Sequence, residues 1–264
     1  MIVLDDASLF TTGVTFFLIS IRLAAMILAA PLFSAAAITL PIRIALVMSI
    51  AAIITPTMTV QLPNLASLNG FLIITQEILL GLSVGFIMQL AFAAVAMAGE
   101  QISFSTGLGF AAMIDPQTGA QSPVITQFLS ILLTFIFLSV QAHHVLIREI
   151  ASSYHLMPIG SSLVNASTYF SILQTAALIF SASLLIALPV IIALFLINLI
   201  IGVLTRVAPQ LNIFSVGFPI TILVGLGLML VTLPTLGAGI SSTLDDISAR
   251  MHQLIVTSSG GIHG

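Results

Sequence analysis

Cysteine, tryptophan and lysine are absent from this 264-residue chain, and charged residues of all kinds make up only 5% of it. Without cysteine there is no disulfide and no thiolate metal site. Without lysine no P-loop can be completed, and no G-x-G-x-x-G follows a strand-like run, so phosphate cradles of either kind are excluded. A net charge of −3 with no basic stripe leaves no footprint for nucleic acid. The shortage of charge also excludes a water-soluble fold, since a soluble domain carries roughly 25% charged residues to cover its surface. What is present is apolar: 59% of the chain, with no Asp, Glu, Lys or Arg anywhere from Ile150 to Thr205. A stretch of that kind lies against lipid or against other apolar protein.

Apolar runs fall at about 9–30, 43–60, 71–99, 124–147, 170–205 and 213–236. Each reaches or approaches the ~20 residues that cross a bilayer as helix, so the pattern predicts about six spans and no separate aqueous domain. The second run is short and ends at Thr55-Pro56-Thr57. The fifth carries Pro189, which is expected to kink it or divide it into two tilted pieces. The first run follows Asp5 and Asp6 rather than a positive leader, and reads as a retained span. Arg43 and Arg206 lie in connections after the first and fifth runs. Arg22, late in the first run, is expected to extend its head group to the same interface. Putting these three on the cytoplasmic side follows the positive-inside tendency and places both termini, with Asp5, Asp6, Asp245 and Asp246, outside. Arg148 opposes that scheme, diluted by Glu149 beside it.

Small residues recur within the runs. Gly81 and Gly85 form a small-xxx-small pair, and Gly225 and Gly227 lie in the last run; such positions let helix backbones approach closely, within the chain or against other subunits. Glu77 and Glu100 bracket an uncharged run of roughly 22 residues, about 33 Å of helix, close to one hydrocarbon thickness. They sit at opposite interfaces or pair with an arginine of a neighbouring chain, because an isolated carboxylate at mid-membrane costs about 2.5–3.5 kcal/mol. Catalytic constellations are missing. Asp115 alone cannot form an aspartyl dyad. His143-His144 lacks the HExxH arrangement and reads as interfacial, so no metal, cofactor or enzymatic activity is expected. Asn165-Ala166-Ser167 is a chance sequon. An ion-coupled transporter using Glu77, Glu100 and Asp115 is the competing class, but no clear inverted repeat supports it.

One segment fits neither a span nor a solvent loop. Gln101 to Pro123 reads QISFSTGLGFAAMIDPQTGAQSP, too rich in glycine and polar residues for a lipid-facing helix and too apolar for water. Irregular backbone at membrane depth is tolerated only where protein buries it or where it lines a cavity. Gly107, Gly109 and Gly119 allow backbone conformations closed to other residues, and Asp115-Pro116 reads as a turn. Phe110 and Met113 suit a deformable apolar seal. The segment is therefore expected to be re-entrant or pore-blocking, the alternative being a plain interhelical connection that happens to be apolar.

The order Asn198-x3-Gly202-x3-Arg206-x2-Pro209-Gln210-x-Asn212-Ile213-Phe214-x2-Gly217-Phe218-Pro219 resembles the C-terminal signature of the FliR family, the export-gate subunits of the flagellar type III secretion system. Pro31-Leu32-Phe33 with Pro41-x-Arg43 is similar to that family's first connection. Glu77-x3-Gly81-x3-Gly85-Phe86 and Ala98-Gly99-Glu100 are similar to its third span, and Asp115-Pro116-Gln117-x-Gly119-Ala120-Gln121-x-Pro123 to its central loop. The injectisome counterpart is the nearest alternative.

The resemblance implies an all-α membrane protein of a single FliR-type domain over 1–264. Residues 1–168 would be the FliP-like part and 169–264 a FliQ-like helical hairpin. One copy would join FliP and FliQ around a channel for unfolded rod, hook and filament proteins. FlhB would lie at the cytoplasmic entrance and FlhA below, in the basal body of the bacterial inner membrane. It further implies a plug loop over 106–121 with Gly107, Gly109, Phe110, Met113, Asp115, Pro116 and Gly119. The cytoplasmic hairpin turn would hold Arg206, Pro209, Gln210 and Asn212, and subunit packing would use Glu77, Gly81, Gly85, Glu100, Gly202 and Gly217.

Overall fold

The computed structural model describes residues 6–58, 67–109, 123–160, 166–208 and 217–259, and among them every regular element is helical. This follows from the composition, because an apolar environment leaves each backbone N–H and C=O to be satisfied within its own segment. Helix α1 (Asp6–Ala29) stops just before Pro31, and α2 (Leu40–Ile54) starts with Pro41 in its first turn, where the missing N–H costs nothing. Between them, Arg43 reaches back from α2 and donates to the carbonyls of Ser34, Ala35 and Ile38 at 3.0, 2.8 and 3.1 Å. The connection it clamps includes Leu32 in the left-handed region, φ +63°. A 3-10 turn (Thr55–Thr57) carries Pro56.

Helix α3 (Leu68–Thr106) is capped by Ser67, whose hydroxyl accepts the Gly70 N–H at 3.2 Å. It continues past the expected end near residue 99. Two hydroxyls of its last turn are satisfied by the helix itself: those of Ser105 and Thr106 donate to the carbonyls of Gln101 and Ser103. Gly107, φ +84°, then ends it as a left-handed C-terminal glycine.

The fourth apolar run is two helices rather than one, α4 (Val124–Ser139) and α5 (Ala142–Leu156), broken where Gln141 takes φ +55°. Helix α6 (Ala166–Val207) runs unbroken through Pro189, so the expected division there does not occur. Helix α7 (Phe218–Ser259) likewise contains Pro234 and extends well beyond the last apolar run. Among the described residues five helices are long and apolar enough to cross a membrane, or six if α4 and α5 count as one broken span. The chain is an all-α, multi-pass membrane protein.

Two compact units divide the chain. The first comprises Met1–Leu90, Gln141–Ala176 and Asp246–Gly264, and the second Ala91–Val140 and Ala177–Asp245. In the first, Leu18, Ile19, Leu23 and Met26 of α1 are buried with Val84, Ile87 and Met88 of α3 and Leu146, Ile150 and Tyr154 of α5. Gly81 and Gly85 make the α1–α3 approach possible: a Cβ at either would collide with a main-chain carbonyl of α1, Arg22 or Met26 respectively. In the second unit Ala94, Val95, Ala98 and Ile102 of α3 are buried with Leu129, Leu133 and Phe137 of α4, and with Ile186, Val190 and Leu194 of α6. Phe92 meets Phe137 edge-on at 5.6 Å between ring centroids.

Candidate functional site

Two polar constellations stand out in this apolar chain, one in each unit. In the first unit Arg22 and Glu77 are fully buried and paired through two bonds, Nε to Oε2 at 2.6 Å and Nη2 to Oε1 at 3.0 Å. Two further guanidinium donors are used as well. Nη1 donates to Ser153 Oγ at 3.0 Å and Nη2 to the Met157 carbonyl at 3.1 Å. The Tyr154 ring lies 4.3 Å from the guanidinium carbon, and its hydroxyl donates to the Ile19 carbonyl at 2.8 Å. A planar guanidinium suits this position, because its fork matches a carboxylate while its face stacks on an aromatic ring. The cluster fastens α1, α3 and α5 together. Arg22 therefore does not extend to an interface, and Glu77 has its counter-charge within its own chain. Neither takes part in the positive-inside count, and a carboxylate held this way is poorly placed to couple ion movement.

In the second unit the polar groups gather at the C-terminal end of α3. The last carbonyls of a helix lack intrahelical donors. Here Thr221 of α7 donates its hydroxyl to the Thr106 carbonyl at 3.2 Å, and Asn198 of α6 donates its amide to the Ser105 carbonyl at 3.3 Å. One turn earlier Gln101 donates to the buried Ser183 hydroxyl at 3.3 Å. Gly225 of α7 leaves room for the Thr106 side chain, since a Cβ there would lie 2.5 Å from Thr106 Cγ2. The start of α4 also meets α7. An apolar cavity of about 340 Å³ is lined by Val124, Ile125 and Phe128 from α4 and by Leu226, Met229, Leu230 and Leu233 from α7. Both helix ends flanking 110–122 thus face α7, that of α3 at Thr221 and Gly225 in its first two turns and that of α4 across the cavity at Leu226 to Leu233. Close packing of α3 on α4 at Gly99, where a Cβ would come within 2.7 Å of Thr126 Cα, ties the two together.

The expected plug residues divide between described and undescribed parts of the chain. Gly107 has the left-handed conformation that the sequence suggested. Gly109 does not: its smallness accommodates the Phe104 ring, which a Cβ would approach to 2.6 Å. Phe110, Met113, Asp115, Pro116 and Gly119 lie outside the described residues, as do Pro209, Gln210 and Asn212 of the hairpin turn. Arg206 is exposed in the last turn of α6, where a cation complements the helix dipole. Glu100 is exposed and Gly217 buried. Gly202 is exposed, with open space where its Cβ would be. Among the described residues no group of three or more His, Asp or Glu could hold a metal. The roles of Arg22, Ser153 and Tyr154, and of Thr221, were not anticipated from sequence.

Residues 14–247 match the family of bacterial export proteins, family 1. The chain is 38% identical over 237 residues to the flagellar biosynthetic protein FliR of Pectobacterium carotovorum, covering 89% of this chain and 91% of that one. It is 36% identical over 214 residues to the protein of the same name from Escherichia coli strain K12, covering 81% and 82%. To that of Bacillus subtilis strain 168 it is 34% identical over 221 residues, covering 82% and 85%.

Proposed function

The chain belongs to the FliR family of flagellar biosynthetic proteins, within the bacterial export proteins, and from that premise we propose that it is a wall-forming and sealing subunit of the flagellar protein export gate. It is a component of the flagellar export apparatus. In this reading one copy joins FliP and FliQ chains around a channel in the bacterial inner membrane, at the flagellar basal body. Residues 1–168 form the FliP-like part and 169–264 the FliQ-like hairpin. FlhB and FlhA adjoin the gate on the cytoplasmic side, with the turn at Arg206, Pro209, Gln210 and Asn212 facing them. Unfolded rod, hook and filament proteins are the cargo. The role is structural, with no bond made or broken. The flagellar names of the relatives favour this branch over the injectisome one.

The observation that carries the reading is α6. It is apolar over Phe170–Val207, with a mean hydropathy of 3.1 in its most apolar window, yet only 22% of that window is buried within the chain. A wall subunit meets other apolar chains along such a helix, and Gly202, with no described residue within 4 Å of where its Cβ would be, suits close approach of one of them. The plug reading rests on the segment between Gly107 and Pro123, whose helical flanks are both seated on α7. Deleting Gly107 to Gly119 in the co-expressed gate is expected to leave assembly intact and to open a leak for ions and small solutes. Membranes that stay tight around a normally assembled gate would rule the plug out.

A further inference from the structure

We propose that Thr221 and Asn198 are positioning residues for the seal: together they fix the last turn of α3, from which the chain sets out toward the plug. The proposal rests on the plug reading above. Three observations carry it. The two donors come from different helices, α7 and α6, and grip successive carbonyls, those of Thr106 and Ser105. A bond to a main-chain carbonyl fixes the backbone itself, so the pair sets the position of the helix end whatever side chains follow. The end is also seated sterically, because Thr106 is buried and its methyl occupies the space that Gly225 leaves open. Finally, Gly107 turns the backbone through the left-handed region immediately afterwards, so a displacement of the last turn passes directly to Leu108 and Gly109. Asn198 opens the spaced motif that continues to Gly202 and Arg206, which gives that motif a role inside the chain as well as at its turn.

The test uses the gate co-expressed with its membrane partners, in cells or reconstituted vesicles. It measures release of potassium and of a small fluorescent dye, alongside the amount of this chain recovered in the complex. Thr221→Val keeps the shape and removes the donor. It should raise the leak about fivefold, the factor that loss of about 1 kcal/mol gives, with recovery unchanged. Thr221→Ser should restore the seal. Thr232→Val is the matched control on the same helix, because that hydroxyl donates to the Leu228 carbonyl of its own helix at 2.8 Å. Thr221→Val with Asn198→Leu should leak more than either alone. If Thr221→Val prevents assembly, Asn198→Leu decides, since that side chain is exposed: a leak supports the proposal and a tight gate overturns it. If both variants assemble and stay as tight as Thr232→Val while the Gly107–Gly119 deletion leaks, the positioning role is wrong and the plug stands. If the deletion itself stays tight, the plug reading fails and the proposal falls with it.

Discussion

At the scale of single residues, the dominant fact is a carboxylate and a guanidinium withdrawn from both water and lipid. Neither would be stable there alone, and the geometry shows why they are stable together: two direct bonds, a serine hydroxyl, a carbonyl and an aromatic face satisfy the guanidinium. Buried pairs of this kind are worth little against an apolar replacement of the whole pair, but removing one partner strands the other. Glu77→Leu alone and Arg22→Met alone should each cost about 3–5 kcal/mol, and the combined Arg22→Met, Glu77→Leu chain distinctly less than either. Thermal unfolding of the co-purified gate measures this; a double variant as unstable as the worse single one would sink the argument. The pair also marks a limit of sequence reading. Arg22 and Glu77 stand 55 positions apart, and no local periodicity links them. The available signal was that each is a lone charge in an otherwise uncharged run. That implies a partner, but not which one, and the reach of an arginine near the end of a span made an interface an equally good destination.

At the scale of elements, apolar composition made the helices legible and left their breaks ambiguous. Proline marked several boundaries, at Pro31, Pro41 and Pro123, but it did not divide α6. Pro189 removes one hydrogen bond from α6, yet the helix persists, because a helix in apolar surroundings has no competing solvent to take its freed carbonyl. The real break, between α4 and α5, falls at Val140–Gln141, where neither proline nor glycine announces it. The extension of α3 to Thr106 was equally hidden, since the hydroxyls of Ser105 and Thr106 read as polar in sequence and are absorbed by the helix's own carbonyls. The break carries a prediction. Gln141 occupies the left-handed region, its side chain makes no capping bond, and it is exposed. Glycine there would relieve a steric cost and should stabilise the fold by about 0.5–1 kcal/mol, whereas Gln141→Val should destabilise it by more than about 1 kcal/mol. Protease resistance of the two variants side by side gives the sign; if glycine weakened the fold, strain at this joint would not be what its backbone angle implies.

At the scale of the whole molecule, the charge deficit fixed the class at once, while the division of apolar surface between lipid and protein stayed illegible. Lipid tails are as apolar as leucine, so the same side chains serve either neighbour. Length discriminates where composition cannot. A 42-residue helix has a contour of about 63 Å, roughly twice a hydrocarbon core of about 30 Å. Tilting to about 40°, the upper end of what transmembrane helices show, would still leave it spanning about 48 Å. Helix α6 is apolar over Phe170–Val207 with no charge until Arg206, so part of that apolar length falls outside the hydrocarbon, where only other protein can cover it. Exposed Phe170, Phe180, Leu185, Phe195, Ile200 and Val203 are spread along this length. A chain built this way is incomplete by itself. Produced alone in a bacterial membrane, it should be degraded or aggregate, and co-production with the proposed partners FliP and FliQ should raise the yield of folded, protease-resistant chain at least about tenfold, the ratio that 1.4 kcal/mol of differential burial already supplies. Equal yields of well-folded chain with and without those partners would mean that lipid covers the length of α6 after all, and the case for a wall subunit would lose its physical footing.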